Sequence, residues 1–171
     1  SKTFDFKLIH FSTDYVFDGT ASEPYRENDS LKPIGVYGQT KAEGETVMRN
    51  AGIDGWIIRT SWLFSPHGKN FVKTIFSLLQ NKDEINVVAD QTGSPTYAID
   101  LAAAILKALE QKPAFEGVKV YHYTNSGTTT WYGLALAIQQ QINTHCKISA
   151  DIKWRVDVNH FYTTLFFYFI P

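Results

Sequence analysis

Short apolar runs alternate with segments of helical period along this chain. That alternation narrows its folds most, because it is the pattern of parallel strands joined by helical crossovers. Lys7 to Phe11 reads as a first strand. A polar loop with Gly19, Pro24, Glu27, Asp29 and Pro33 leads to a helix from about Val36 to Asn50, and Asn50-Ala51-Gly52 turns the chain into a second strand, Trp56 to Arg59. Asn70 to Leu79 carries Phe71, Ile75, Leu78 and Leu79 at helical spacing, and Ile85 to Val88 follows as a strand. Tyr97 to Leu109 then predicts a helix, Val118 to Tyr123 a strand, and Thr130 to Ile142 a helix opened by a threonine cap. Ile148 to Lys153 reads as one more strand. The expected class is α/β.

Composition removes several kinds of function. A chain of 171 residues with 44% hydrophobic residues suits one domain with a real core. Its 16 basic and 17 acidic residues leave a formal net charge of -1, without the basic footprint that nucleic acid or an acidic membrane surface would need. The single cysteine, Cys146, cannot form an internal disulfide, which fits a cytoplasmic protein. The five histidines, His10, His67, His122, His145 and His160, show no metal-ligand spacing, and Ser61 and Ser65 lack the Gly-x-Ser-x-Gly elbow of a hydrolase.

One constellation carries chemistry. Ser12-Thr13-Asp14-Tyr15-Val16-Phe17 puts hydroxyls at a strand end, and Tyr37-Gly38-Gln39-Thr40-Lys41 follows on the next helix. Residues four apart share a helix face, so the Lys41 ammonium stands where it favours the Tyr37 phenolate by charge attraction. Thr13 adds a hydroxyl that can bond the same carbonyl oxygen and fix it for proton transfer. These are the parts of an acid/base site for a carbonyl.

With Arg59-Thr60-Ser61-Trp62, Val88 to Tyr97 and Asp100-Leu101-Ala102 added in the same order, the sequence resembles the dTDP-4-dehydrorhamnose reductase family of the extended short-chain dehydrogenase/reductases, from about the first residue to Ile152. The resemblance implies the C-terminal part of a Rossmann-like parallel sheet with a smaller α/β substrate-binding domain. It implies Tyr37, Lys41 and Thr13 as catalytic residues, with Tyr37 and Lys41 also holding the nicotinamide end of NADPH or NADH. Thr13, Asp14 and Trp62 would contact the deoxysugar, although Asp14 also reads as a turn carboxylate and Trp62 as a core aromatic. Asn70 could cap the next helix or bond the nucleotide diphosphate. Asp14-Tyr15 stands where related dehydratases carry an acidic pair, which favours reduction over elimination.

The expected division is residues 1–64 as the remainder of the NAD(P)-binding domain, 65–153 as mainly the sugar-nucleotide domain, and 154–171 as an aromatic tail foreign to the family pattern. No Gly-rich dinucleotide turn occurs in these residues, so we expect the chain to be part of a longer enzyme and, on its own, to be inactive and prone to associate. The uncharged run 161–170 is too short for a membrane span, which needs about 20 apolar residues. The implied reaction is reduction of dTDP-4-dehydro-L-rhamnose, with the dTDP-sugar as partner and a homodimer for the full-length enzyme. The alternatives are a non-catalytic binding subunit of the same fold and a sugar-nucleotide epimerase.

Overall fold

The computed structural model describes residues 6–144 and 149–155. Cys146, His145, His160 and the aromatic run 161–170 lie outside the described residues. Strand β1 (Leu8–Thr13) is followed by a short 3-10 turn (Asp14–Val16), the loop that crosses to helix α1 (Val36–Asn50), and strand β2 (Gly55–Thr60). Then come β3 (Leu63–Phe64), α2 (Phe71–Asn81), β4 (Glu84–Val88), β5 (Thr92–Gly93), β6 (Thr96–Tyr97) and α3 (Ala98–Glu110). The described chain ends with β7 (Val118–His122), β8 (Thr129–Thr130), α4 (Trp131–Asn143) and β9 (Asp151–Arg155).

The main sheet is parallel, in the order β1-β2-β7. Its register sets Thr13 opposite Thr60 and Arg59 opposite His122. All six residues of β2 are buried, as expected of a central strand covered on both faces. On one face Trp56 and Ile58 pack with Leu101 of α3 and the flanking Ile105, Leu109 and Phe115. On the other, Arg59 reaches α1.

A second core lies where α2 and α4 cover the parallel pair β4-β9, with Ile75, Leu79, Ile85, Val87, Ala135 and Ile152 at its centre. The amphipathic stripe read from the sequence of α2 is the face buried here. Two ribbons of two residues per strand, parallel β3-β6 and antiparallel β5-β8, complete the sheets of the described residues. They were not legible as strands because two residues cannot display a period. The strand expected at Ile148 to Lys153 runs over Asp151–Arg155, where it pairs with β4. No helix among the described residues is long and apolar enough to cross a membrane.

Candidate active site

The C-terminal ends of β1 and β2 open onto a cavity of about 410 Å³ whose walls include Thr13, Asp14, Tyr15, Tyr37, Lys41 and Trp62. Five of the six residues singled out in the sequence therefore meet at one place. It is the carboxyl end of parallel strands, where ligands enter open α/β sheets.

Each wall has a local cause. Thr13 ends β1 and caps the 3-10 turn, accepting from the Tyr15 backbone N–H at 3.3 Å while its hydroxyl donates to Asp14 Oδ1 at 2.9 Å. The turn buries Asp14, whose other oxygen, Oδ2, has no hydrogen-bond partner among the described residues. Burial pushes the Asp14 carboxyl up to about 6, against the pull of hydrogen bonds from Thr13 and from backbone N–H groups. Burial likewise holds the Tyr15 phenol above its ordinary value, helped by the neighbouring Asp14 and Tyr37.

Tyr37 lies in the first turn of α1, 60% exposed, its ring edge-on to Tyr15 with centroids 6.0 Å apart. Gly38 lets α1 come this close to the turn: a Cβ there would stand 2.1 Å from the Tyr15 carbonyl oxygen. The Lys41 ammonium donates to the Phe11 carbonyl of β1 at 2.6 Å. An ammonium has three protons, so that bond leaves it donors for a ligand.

Trp62 carries φ 47°, a left-handed backbone uncommon for a bulky residue, and its indole stacks on Trp131 at 3.6 Å between centroids. Asn70 is not in the cavity wall. Its side chain caps α2, accepting from the Lys73 N–H at 3.1 Å and donating to the Ser65 carbonyl at 2.7 Å.

Beneath the cavity is a buried polar network that the sequence reading passed over. Arg59 donates from Nε to Glu45 Oε1 at 2.9 Å and from Nη2 to Glu45 Oε2 at 2.7 Å, while Ser12 donates to Glu45 Oε1 at 2.6 Å. Arg59 Nη1 also faces His122 Nε2 at 3.1 Å and the Glu27 carbonyl at 3.3 Å. Burial would raise Glu45, but its bonds from Arg59 and Ser12 outweigh that and hold the carboxyl below its usual value. His122 is pushed down to about 4, chiefly by burial and further by the Arg59 charge, so it is the neutral acceptor here. The available signal was a lone arginine inside the apolar strand Trp56-Ile57-Ile58-Arg59, since a buried charge requires a partner. Among the described residues no group of His, Cys, Asp or Glu could hold a metal ion.

The family model described as RmlD substrate binding domain matches residues 1–155. A spore coat polysaccharide biosynthesis protein, SpsK, of Bacillus subtilis is 46% identical over 135 residues, covering 79% of this chain and 46% of that protein. The dTDP-4-dehydrorhamnose reductase of Escherichia coli is 39% identical over 137 residues, 78% of this chain and 45% of the relative. This chain thus spans about half the length of the curated relatives it matches. Among solved structures, a dTDP-4-dehydrorhamnose reductase from Bacillus anthracis in complex with NADP superposes with TM-score 0.84 at 35% identity, over 95% of this chain and 57% of that one. A dTDP-glucose 4,6-dehydratase from the same organism shares the fold at TM-score 0.76 and 18% identity.

Proposed function

Because this chain belongs to the RmlD substrate-binding family, we propose that it supplies the substrate-side half of an NAD(P)H-dependent reductase acting on dTDP-4-dehydro-L-rhamnose to give dTDP-L-rhamnose. The observation that carries the proposal is the convergence of Thr13, Tyr37, Lys41 and Trp62 on one cavity at the ends of β1 and β2. These residues are a hydroxyl pair, a cation and a flat apolar ring, which is the set a keto-sugar needs.

The residues present fit the nicotinamide end of the coenzyme: Tyr37 is exposed at the cavity and Lys41 keeps donors in reserve beside it. When bound, the reduced coenzyme supplies the hydride that goes to C4. Tyr37 gives its phenolic proton to the C4 oxygen as negative charge develops there, and Lys41 stabilises the phenolate left behind. Thr13, by turning its one hydroxyl proton from Asp14 Oδ1 to the same oxygen, fixes the distance over which the Tyr37 proton moves. The Trp62 indole offers the sugar ring an apolar wall. Asp14, half neutral near pH 6, lines the cavity and carries an oxygen without a partner among the described residues, which can accept from or donate to a sugar hydroxyl. In this reading residues 1–64 carry the catalytic groups and 65–153 mainly shape the sugar-nucleotide side.

The test is direct. The full-length protein that carries this segment is mixed with NADPH and a dTDP-4-keto-6-deoxysugar, and nicotinamide absorbance is followed. Substrate-dependent loss of absorbance is expected, and none with either NADPH or NADH would favour a binding subunit of the same fold.

A further inference from the structure

Trp62 holds a backbone conformation that a tryptophan seldom adopts, and it does so in the wall of the cavity. Such a conformation persists only where the surroundings over-determine it. Three contacts do so here. Trp131, the first residue of α4, lies flat on the indole, with ring centroids 3.6 Å apart and planes 11° from parallel. Gly93 of β5 lies against Cε2, Cζ2 and Nε1 of the indole, so that a Cβ there would come within 2.5 to 2.7 Å of these atoms. The Trp62 carbonyl accepts from the Thr96 N–H at 3.2 Å.

Trp131 is itself immobilised. Its Nε1–H donates to Gln91 Oε1 at 3.1 Å, and the Phe71 ring packs against it at 4.5 Å. Thr130 caps its helix by accepting from the Gly133 N–H at 3.0 Å. Phe71 in turn opens α2, the helix capped by Asn70. A ladder of rings, Phe71-Trp131-Trp62, therefore runs from the α2/α4 core to the cavity, and only its last rung lines the wall.

We propose that Trp131 and Gly93 are positioning residues that hold the Trp62 indole as a preformed wall, and thereby set affinity for the sugar of the substrate. Neither residue lines the cavity, so their effect on the bound sugar passes through Trp62. The inference rests on the reading of the cavity as a sugar-nucleotide site. Because stacked indoles couple electronically, the geometry has its own signature, an exciton couplet in circular dichroism that does not depend on turnover.

The experiment compares the full-length wild type with Trp131→Ala, Trp131→Phe, Gly93→Ala and Trp62→Ala. Trp131→Ala should abolish the couplet and raise KM for the dTDP-sugar about tenfold, the scale of one lost aromatic contact, while kcat and KM for NADPH stay within about threefold. Trp131→Phe should also lose the couplet yet keep KM near wild type, because a ring still backs the indole. Gly93→Ala should weaken the couplet and raise the same KM. An unchanged sugar KM in a folded Trp131→Ala, or an equal loss in every kinetic constant, would overturn the proposal. A wild type without reductase activity would instead overturn the functional reading. The couplet would then decide the positioning by itself, and its survival in Trp131→Ala or Trp62→Ala would refute it.

Discussion

Glu45 on α1 and Arg59 on β2 meet in two parallel hydrogen bonds of 2.9 and 2.7 Å, with both side chains at most 1% exposed. Ser12 of β1 donates to the same carboxylate, so the pair sets how α1 sits on the sheet that carries Thr13. Removing one member leaves the other charged and buried. Glu45→Ala should therefore cost about 3–5 kcal/mol in urea unfolding, whereas the double change Glu45→Leu with Arg59→Met should cost much less than the sum of the two single changes. Strict additivity would mean that the pair does not act as a unit.

Tyr37→Phe removes only the phenolic oxygen from an exposed ring, so folding should be untouched. In the full-length protein turnover should fall by roughly two to four orders of magnitude, the usual contribution of a positioned acid. Near-normal turnover would take Tyr37 out of the chemistry.

Asp14 gives a pH dependence with a definite sign. Its carboxyl titrates near 6 when folded against 3.8 when unfolded, so the folded state holds the proton more tightly. Its contribution is most favourable below the unfolded value and is lost as pH rises through the folded one. Asp14→Asn should thus stabilise the protein at pH 7.5 by about 1–3 kcal/mol and flatten the decline between pH 4 and 6. His122 acts oppositely: with its imidazole pushed down to about 4, stability is lost as pH falls below the unfolded value of 6.5. Thermal melts across this range in Asp14→Asn and His122→Gln should reveal opposite slopes that partly cancel in the wild type.

Two glycines of α1 should respond to alanine in opposite ways. At Gly38 a Cβ would strike the Tyr15 backbone at 2.1 Å, and Gly38→Ala should destabilise by roughly 2–4 kcal/mol. At Gly44 the nearest atom is His10 Nε2 at 3.4 Å, the far end of a side chain, and Gly44→Ala should stabilise by about 0.5–1 kcal/mol through helix propensity. Equal effects would show that the approach of α1 to the turn is looser than described.

These 171 residues contain no Gly-rich dinucleotide turn, and in the proposed reading Tyr37 and Lys41 reach only the nicotinamide end of the coenzyme. Calorimetric titration of the chain by itself should give weak or undetectable NADPH binding, since each missing charge-assisted phosphate contact is worth about 1.5–3 kcal/mol. Micromolar affinity would contradict this.

Much of the molecule could be read in advance because its elements are long and strongly patterned. Val36 to Asn50 was bounded by a Pro-containing loop and by Gly52, which has φ 62°, and the helix ends as those signals require. The meeting of Thr13, Tyr37, Lys41 and Trp62 followed from strand ends and helix phase together with family resemblance. What could not be read was set by distant partners. The sequence holds no local signal that pairs Glu45 with Arg59 of β2, and none that sets Trp131 on Trp62, because both contacts join residues brought together only by the fold. Asn70 had two readings of equal standing from sequence, and its side chain is engaged in the cap.

The network under the cavity also bears on the order in which the protein takes shape. Ser12 to Glu45 closes a loop of 33 residues, Arg59 to His122 one of 63, and the His122 N–H to Glu27 Oε1 one of 95. Such closures lose chain entropy before their contacts return any stability, so parallel pairings of this kind form slowly. During synthesis Arg59 and Glu45 are available to each other long before β7 leaves the ribosome, but β2 has its second neighbour only after Val118–His122 has emerged. Until then one edge of the central strand β2 stands unpaired, and the nascent chain passes through an interval in which chaperone capture and misassembly compete with completion of the site.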